Sequence, residues 1–382
     1  MKIIHICMVD SFCEGWAYHR NIISDKNRMD GHDVTIITTR YRMGDNGENV
    51  LDQPGIFYTK LGVKVVRLKD GFPGMPQKIQ DRLHWTRGLY KAIEAEKPDV
   101  IMVHNLQFFN LGVVTKYRKM HPETRLLGDT HANKYNSIGK NPKLSYAVHK
   151  AAGRRIRRHF KYFDKFAYLS LEEKEFFEKM YGIDLSNAYQ VPLPAPKIEK
   201  PQKEIIKAKI REELGMDEDM LLLVHSGKLS EGKRTDWIFE ALKKSSVKCR
   251  LLIIGSIPDD RKERMERYLA DEKRACYMGW MDADRLRDYI AAADLYLQPG
   301  SVSVTFCNAM AVGTPVMIYP YKSYKAFSKG SEFFVRNIND IRKVLDTVSR
   351  RDGTLDRMSD IAYEVAHAYF SIENNAKFVY ES

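Results

Sequence analysis

The sequence PGSVSVTFCNAMAVGTPV, residues 299–316, decides the fold. It follows the apolar run LYLQ, which is typical of a buried strand. Ser303 is a favourable N-cap for a short helix over residues 304–312, and Gly313 stands where helices commonly end with a left-handed glycine. The expected strand, turn and helix would present unpaired backbone amides to an anion. These are the amides of Val304, Thr305 and Phe306.

An upstream segment, HSGKLSEGKRTDWIFEAL (residues 225–242), has a related pattern. A strand is predicted to end at Gly227, Lys228 and Lys233 lie in the following loop, and Thr235 could cap the next helix. Two cations beside a helix N-terminus favour a diphosphate. Taken alone, the segment fits two solvated loop lysines equally well.

Short apolar runs alternate with longer amphipathic ones along the whole chain, a pattern typical of parallel α/β architecture. A proline-rich stretch, residues 191–204, interrupts the alternation and is predicted to be a linker. Gly31 is expected to end the first helix. The predicted strands are residues 2–9, 34–38, 63–67, 100–103, 125–129, 165–169, 221–225, 251–254, 275–277, 295–298 and 316–319. The predicted helices are residues 16–30, 77–96, 111–121, 235–244 and 259–273.

The composition is that of an ordinary globular protein of 382 residues, large enough for two domains. The net charge of +12 suggests nucleic acid, an anionic membrane face or phosphorylated substrates as partners. None of the five cysteines has CxxC spacing, and no His, Cys, Asp or Glu cluster has metal-ligand spacing, so we expect no metal. Neither a signal peptide nor a membrane span is predicted, and we expect a cytoplasmic protein.

With the segment YMGWMDADRLRDYIAAADLYLQP (residues 277–299), these motifs resemble the nucleotide-sugar-binding half of glycosyltransferase family 4, the retaining enzymes of the GT-B fold. Weaker similarity extends through GHDVTIIT, KPDVIMVHN, THANKYN and KFAYLSLEEKEFFEKMYG in the first half. The resemblance implies two Rossmann-like, doubly wound parallel-sheet domains that face each other across a cleft. The residues that carry it are Gly227, Lys228, Leu229, Lys233, Gly279, Leu286, Tyr289, Ala293, Asp294, Pro299, Ala309, Met310, Ala311, Gly313, Pro315 and Val316.

The resemblance also implies roles for individual residues. Lys228 and Lys233 would bind the donor diphosphate, with lysine at 228 where the family usually has arginine. His131 would lie beside the transferred sugar. The remaining donor-side candidates are Gly15, Gly227, Gly279, Trp280, Met281, Ser303, Val304, Thr305 and Asn308.

The sequence departs from the family at two glutamates that usually hold the donor. Asn308 stands at the position that binds the ribose, and residues 299–308 contain no acid at all. Retaining enzymes of this class are thought to need no protein nucleophile, because the leaving diphosphate helps to deprotonate the acceptor. Cations and amides that stabilise the leaving group are therefore the essential feature.

The acceptor side is less clearly marked. Gly15, Trp16 and Tyr18 resemble a divergent branch associated with surface polysaccharide synthesis, which implies a lipid-linked glycan acceptor at the inner membrane face. His19 and Asn105 are further candidates near the acceptor. His104, at the end of a predicted strand, is interpreted as a satisfied buried histidine.

The segment HKAAGRRIRRHFKYFDKF, residues 149–166, is strongly basic with interleaved aromatic residues. It could be a solvated helix face or a surface for anionic lipid. Nucleic-acid binding is disfavoured because no recognised binding motif accompanies the charge. The acidic residues Glu172, Glu173 and Glu175 are interpreted as a solvated helix start.

The sequence therefore predicts an N-terminal domain over residues 1–195, a nucleotide-sugar-binding domain over 196–365, and a returning helix over 366–382. The predicted activity is retaining hexosyl transfer from a UDP- or GDP-linked sugar, with no other cofactor. The alternative is a non-catalytic GT-B module that stabilises an active transferase. A dehydrogenase is excluded because the loop DSFCEGW lacks the GxGxxG pattern.

Overall fold

The computed structural model describes residues 1–15, 18–43, 49–76, 79–80, 83–139, 141–327 and 329–381. The chain divides into two compact units. Unit 1 comprises Met1–Leu193 together with Ile372–Ser382, and unit 2 comprises Pro194–Ser371. Within the described residues, no helix combines the length and the apolar character that crossing a bilayer requires.

Unit 1 is built on an eight-stranded sheet in the order β12-β11-β10-β9-β1-β2-β6-β5, in which only the edge strand β5 runs antiparallel to its neighbour. The central strands are buried on both faces, as the pattern of KIIHIC in β1 shows. The order reverses between β1 and β9, where ligands commonly bind in such sheets. The strands are β1 Lys2–Cys7, β2 Asp33–Thr38, β3 Tyr41–Met43, β4 Asn49–Leu51, β5 Gly55–Tyr58, β6 Lys64–Arg67, β7 Lys69–Asp70, β8 Thr86–Arg87, β9 Val100–His104, β10 Arg125–Thr130, β11 Lys165–Tyr168 and β12 Tyr189–Gln190.

The helices of unit 1 cover both faces of this sheet, and the pairs β3–β4 and β7–β8 form small separate ribbons. Gly31 stands just after helix α1, at C′, and its φ of +89° and its N–H bond to the Arg28 carbonyl confirm the predicted terminating glycine. The helices are α1 His19–Met29, α2 Leu89–Glu96, α3 Leu111–Met120, α4 Pro142–Phe160 and α5 Leu171–Tyr181. In addition, α14 Ile372–Tyr380 follows unit 2 in the chain and belongs to unit 1.

The predicted helix over residues 77–96 is interrupted rather than continuous, because residues 79, 80 and 83 are helical but residues 84–88 are not. Strand β8 pairs with β7, and the helix begins only at Leu89, after Gly88. Gly88 adopts φ +83°, a left-handed conformation that a continuous helix cannot contain. Residues 77, 78, 81 and 82 lie outside the described residues, as does the predicted start of α1 at residues 16–17.

The start of α5 also differs from expectation. Glu172 and Glu173 are buried rather than solvated. The Glu173 carboxylate accepts the backbone N–H of Ser170, whose side chain accepts the N–H of Glu173 in return, and this reciprocal capping box explains the burial. Burial raises the pKa of Glu173 to about 7, against the opposing effects of the nearby His131 charge and the backbone donors.

Unit 2 has a six-stranded, entirely parallel sheet in the order β15-β14-β13-β16-β17-β18, which reverses between β13 and β16. Its strands are β13 Leu221–Ser226, β14 Cys249–Ile254, β15 Ala275–Gly279, β16 Leu295–Gln298, β17 Val316–Ile318 and β18 Glu332–Phe334. Its helices are α6 Lys200–Glu213, α7 Thr235–Leu242, α8 Lys262–Asp271, α9 Ala283–Ala292, α10 Thr305–Ala311, α11 Lys322–Ala326, α12 Ile338–Val348 and α13 Thr354–Tyr369.

The predicted linker ends earlier than expected, because α6 begins at Lys200 with Pro201 in its first turn. Proline is tolerated there, since the first turn of a helix has no intrahelical partner for that N–H. The boundary between the units falls at Leu193 and Pro194.

Candidate functional site

In unit 2, glycines allow the loops after neighbouring strands to touch backbone to backbone. A Cβ on Gly255, after β14, would lie 2.0 Å from the Gly227 carbonyl oxygen, after β13. A Cβ on Gly300, after β16, would lie 2.2 Å from the Gly232 carbonyl oxygen. Gly227 and Gly255 also adopt φ values of +125° and +132°, which side-chain-bearing residues rarely take. We call these contacts the glycine cradle; they lie where the strand order reverses.

Lys233 is enclosed under this cradle. Lys233 is only 8% exposed. Its Cε and Nζ atoms lie 3.1 Å from the point where a side chain at Gly227 would place its Cβ. Among the described residues its ammonium has neither an acidic partner nor a hydrogen-bond acceptor. Desolvation lowers its pKa to about 8. Lys228, the other predicted diphosphate ligand, is exposed on the same loop.

A third cation, missed in the sequence, adjoins Lys233. Arg234 adopts φ +55° and donates from Nη1 to the Pro299 carbonyl oxygen at 3.2 Å. Its guanidinium lies 4.3 Å and 4.4 Å from the ring centroids of Trp237 and Tyr319. The hydrogen bond to Pro299 therefore ties the loop after β13 to the loop after β16. The cation–π contacts add Trp237 of α7 and Tyr319, which follows β17. Only the three-dimensional stacking marks Arg234 as part of the site.

A buried polar chain supports the loop after β16. Ser226 bonds the Tyr296 hydroxyl at 3.0 Å, the Tyr296 hydroxyl donates to Gln298 Oε1 at 3.2 Å, and Gln298 Nε2 donates to the Ser301 carbonyl at 2.9 Å. Ser226, Tyr296 and Gln298 are fully buried. Such satisfied networks hold a loop in one conformation. In the sequence these residues are indistinguishable from strand interiors.

The predicted capping of α10 is wrong in detail. The N-cap is Val304 rather than Ser303, and the helix begins at Thr305. The Thr305 amide bonds Ser303 Oγ at 3.4 Å and the Phe306 amide bonds the Ser303 carbonyl at 3.3 Å, so these two amides are not unpaired. The serine therefore satisfies the helix start internally. Asn308 lies half-buried within α10.

The end of α10 agrees with the sequence. Gly313 adopts φ +64°, and the amides of Gly313 and Thr314 bond the carbonyls of Met310 and Ala309, which is the Schellman arrangement. The prediction for Thr235 is wrong, however. Thr235 is the first residue of α7, not its cap, and its buried hydroxyl bonds His225 Nε2 at 2.9 Å.

The residues expected near the base follow β15. Gly279 adopts φ +71°, and its carbonyl accepts the Gly255 amide at 2.7 Å, which joins this loop to the glycine cradle. Trp280 is 51% exposed and Met281 is half-buried.

In unit 1, Asp129 is the centre of a buried cluster of histidines. Its Oδ2 atom lies 2.7 Å from His104 Nδ1, 3.1 Å from His131 Nε2 and 3.8 Å from His19 Nδ1. Its Oδ1 atom accepts the Asn105 amide at 3.1 Å. Although burial alone would raise its pKa, the charges of His131 and His104 hold the pKa of Asp129 well below its usual range.

The cluster continues away from Asp129 through a chain of ring hydrogen bonds. His104 Nε2 lies 3.0 Å from His5 Nδ1, and His5 Nε2 lies 3.0 Å from Asn27 Oδ1. Both histidines are fully buried, as predicted for His104. Desolvation lowers the pKa of His5 to about 3. His5 and Asp129 were missed because a strand sequence does not reveal which residues meet across the sheet.

His131 and His19 differ although both face Asp129. Burial opposes the charge of His131, but the Asp129 carboxylate raises its pKa to about 9, and its side chain remains 19% exposed. His19 is buried, and desolvation together with the neighbouring His131 charge lowers its pKa to about 3.

A cavity of about 690 Å³ in unit 1 adjoins this cluster, and His131 and Asn105 contribute to its lining. Asn105 adopts φ +61°, accepts the His131 amide at 2.8 Å and donates to Asp10 Oδ2 at 2.6 Å. It therefore fixes the loops after β1, β9 and β10 together. Apolar lining comes from Val9, Leu83, Ala132, Val148, Ala151 and Ala152.

The remaining predicted residues lie on the first loop. Gly15 is exposed at φ +80°, and Tyr18 lies partly buried just before α1 with the Arg20 guanidinium 4.6 Å from its ring centroid. Trp16 lies outside the described residues.

Two doubly wound parallel-sheet units define the GT-B fold of glycosyltransferases, and the expected fold class is confirmed by solved structures. The chain resembles Anabaena HepE in complex with UDP, with a TM-score of 0.72, 15% identity and coverage of 100% of this chain and 99% of that one. It also resembles WaaG, a glycosyltransferase involved in lipopolysaccharide biosynthesis, with a TM-score of 0.62, 15% identity and 100% coverage of both chains.

The chain belongs to the group 1 glycosyltransferases. Residues 221–350 match the family "Glycosyl transferases group 1", and residues 26–194 match "Glycosyltransferase Family 4", which confirms the resemblance found in the sequence. A curated relative, the D-inositol 3-phosphate glycosyltransferase of Xylanimonas cellulosilytica, is 26% identical over 159 residues, which is 38% of each chain. The match thus spans well under half of that relative's length.

Proposed function

We propose that this chain transfers a sugar from a nucleotide-diphosphate donor held on unit 2 to a glycan acceptor held on unit 1, with retention at the anomeric carbon. The observation that carries the proposal is Lys233, a buried ammonium that lacks a protein anion among the described residues. A buried charge without a partner is costly, and a bound diphosphate would supply the missing negative charge.

The proposed reaction breaks the bond between the anomeric carbon and the diphosphate oxygen and forms a bond to an acceptor hydroxyl oxygen on the same face. The acceptor proton passes to the leaving diphosphate, so no protein nucleophile is consumed. Lys233 and the exposed Lys228 would stabilise the charge that develops on the diphosphate. The chemistry at the diphosphate is proposed to need no metal.

We assign the remaining contacts with the donor from the places of the residues in the fold. Asn308, in α10, would bind the ribose hydroxyls, and the backbone around Gly279 to Met281 would contact the base. His131, which is partly exposed at the cavity, would lie beside the transferred sugar. We propose a UDP- or GDP-linked hexose as donor; the UDP in the HepE structure supports the former.

We propose a lipid-linked acceptor for surface polysaccharide synthesis. The mostly apolar cavity in unit 1 suits the uncharged part of an amphiphile. On α4, which contributes Val148 and Ala151 to that cavity, the apolar Leu144, Val148 and Ala151 are exposed at helical spacing. The fold shared with WaaG is consistent with this role.

The basic face of α4 supports docking at an anionic membrane. Lys143, Lys150, Arg154 and Arg158 are exposed along this helix. Each cation near such a surface contributes roughly 1 kcal/mol. Replacing Arg154 and Arg158 with Glu should release the protein from phosphatidylglycerol vesicles in a sedimentation assay. The charge-matched control, Lys209→Glu with Lys244→Glu on exposed sites of unit 2, should stay bound.

The donor proposal is tested by calorimetry with UDP, GDP and their glucose and mannose conjugates, followed by a nucleotide-release assay with membrane extract as acceptor. Binding of one nucleotide class that weakens sharply in Lys233→Met is expected. Absence of binding by every nucleotide would contradict the proposed function.

The absence of any acid over residues 299–308 favours one second candidate, a non-catalytic module that stabilises an active transferase. That candidate predicts nucleotide binding without turnover of any donor, with or without membranes. Nucleotide release that depends on both acceptor and Lys233 would exclude it.

A further inference from the structure

The histidine cluster of unit 1 contains a ring nitrogen whose lone pair has no donor. His19 Nε2 lies 3.2 Å from Asn375 Oδ1, and Asn375 Nδ2 donates to the Pro192 carbonyl at 3.0 Å. The second bond fixes the amide, so Oδ1 must accept and His19 Nε2 must carry the proton. His19 Nδ1 is therefore unprotonated in the neutral ring, and it is buried without a hydrogen bond. It lies 3.8 Å from the Asp129 carboxylate.

A second nitrogen in the cluster is similarly unmatched. His131 Nε2 lies 3.1 Å from Asp129 Oδ2 yet makes no hydrogen bond, and it too is buried. His19 Nδ1 and His131 Nε2 thus converge on one carboxylate oxygen without a hydrogen bond of acceptable geometry. Unmatched buried polar atoms require a partner, because each would otherwise lose its hydration without compensation.

The hydrogen-bonded series from Asn27 through His5 and His104 to Asp129 also has too few protons when both rings are neutral. Asn27 Nδ2 donates to the Ala376 carbonyl, so Asn27 Oδ1 accepts and His5 Nε2 carries a proton. If His5 is neutral, its Nδ1 must accept from His104 Nε2. A neutral His104 then has a bare Nδ1, which faces the Asp129 carboxylate at 2.7 Å. With only neutral rings, this contact lacks a donor and needs either one further proton or a metal cation.

We propose that His19 Nδ1, His104 Nδ1, His131 Nε2 and Asp129 Oδ2 bind one zinc ion. These four ligand atoms all lie within 4.8 Å of one another. Three imidazoles and a carboxylate suit zinc, whose ligands stand roughly 2.0–2.2 Å from the metal in a tetrahedron. The ion takes every lone pair that the hydrogen-bond pattern leaves unmatched.

The surroundings of the ligands have the arrangement that metal sites require. Ligating histidines commonly donate the other ring N–H to an oxygen or a further ring, which fixes their orientation. His19 does so to Asn375, and His104 does so to His5. Because the ligands come from α1, β9, β10 and the loop after β10, no spacing in the sequence reveals the site.

The zinc would hold unit 1 together and orient His131. Binding through Nε2 leaves Nδ1 as the only nitrogen of His131 available to a substrate. This role is separate from the proposed sugar transfer, in which the lysines of unit 2 meet the diphosphate charge. Metal binding can therefore be measured without nucleotide or acceptor.

The test uses the full chain without a histidine tag, stripped with a chelator and then titrated with Zn²⁺. We expect one equivalent of zinc to remain after gel filtration, and Co²⁺ to give the visible absorption of a tetrahedral site. His131→Ala and His19→Ala should each weaken zinc binding at least about tenfold, by analogy with the loss seen when supporting residues alone are changed. His121→Ala, a half-exposed histidine outside the cluster, should bind zinc as the wild type does.

Circular dichroism of the metal-free variants checks that they are folded. His131→Ala is the milder change, because this side chain is partly exposed. Wild-type protein that retains no zinc would overturn the proposal and leave a water with a shared proton in the cluster. Undiminished stoichiometry and affinity in both variants would overturn it equally, because the ion would then lie elsewhere.

Discussion

Both units place polar side chains at the carboxyl edge of a parallel sheet, beside the point where the strand order reverses. The site in unit 1 needs a cation, whereas the site in unit 2 needs an anion. In unit 1, three histidine rings converge on the Asp129 carboxylate, and two of their nitrogens make no hydrogen bond. In unit 2, Lys233 brings a positive charge beneath the glycine cradle without an anion among the described residues. The shared architecture thus supplies the location of each binding site. Excess lone pairs in unit 1 select a cation, and excess positive charge in unit 2 selects an anion.

Removal of the central charge of unit 1 should have the largest effect. Asp129→Asn leaves His131 beside a neutral amide, and breaking a buried ion pair costs about 3–5 kcal/mol. We expect the free energy of unfolding to fall by that amount in chelator-treated protein, measured by urea denaturation. Asp164→Asn is the control, since its partly exposed pair with Arg118 should contribute about 1 kcal/mol or less. Equal losses would show that the cluster is not specially coupled.

The equivalent change in unit 2 should act on binding instead of folding. Lys233→Met removes a buried charge that nothing in the described protein balances, so stability should stay the same or rise. Affinity for the nucleotide diphosphate should fall about 100-fold, because a charge-assisted contact contributes about 1.5–3 kcal/mol. Lys228→Met, on the exposed lysine of the same loop, should cost less. Calorimetry and thermal unfolding measure both quantities, and a destabilised apo protein would contradict the comparison.

The pH dependence of donor binding sharpens the contrast. The pKa of Lys233 is lowered by burial to about 8, and a bound diphosphate would raise it. Below pH 8 the ammonium is already charged, so affinity is greatest; above pH 8, binding must take up a proton. Affinity for a nucleotide sugar should therefore fall between pH 7.5 and 9, by up to about tenfold per pH unit. The same fall in Lys233→Met would assign the effect to another group.

Asn308→Ala should have the smallest effect. A neutral hydrogen bond to a ribose hydroxyl contributes about 0.5–1.5 kcal/mol, so nucleotide affinity should drop about threefold to tenfold, well short of the Lys233 effect. Calorimetry of the two variants side by side gives the comparison. A loss as large as that of Lys233→Met would mean that α10, not the buried ammonium, dominates donor binding.

The sequence predicted the sheets well because their strands are buried runs bounded by glycine or polar residues, as LLLVHS before Gly227 shows. It also predicted the C′ glycines Gly31 and Gly313, whose signals are local. It failed at helix starts, where Ser303 and Thr235 bond to nearby groups that only the folded chain supplies.

The sequence drew attention to His19, His104 and His131 one by one, but it could not predict that they meet. His5, His19, His104 and His131 lie on separate segments, and their meeting at Asp129 depends on strand order and register. Cradle glycines Gly255 and Gly300 were likewise missed, because the need for glycine arises from a neighbouring loop. Long-range packing carries information that no window of residues contains.

The position of helix α14 in the chain has a consequence for folding during synthesis. It belongs to unit 1, where Val379 packs with Ile3, Met102 and Leu127, yet a ribosome must synthesise all of unit 2 before reaching it. Domains usually fold as they emerge. Here unit 1 emerges first but cannot complete its core until α14 has been synthesised. Until then, the apolar surface that α14 covers stays exposed. The nascent chain therefore has a vulnerable interval, during which a chaperone that holds the first unit would have its longest opportunity to act.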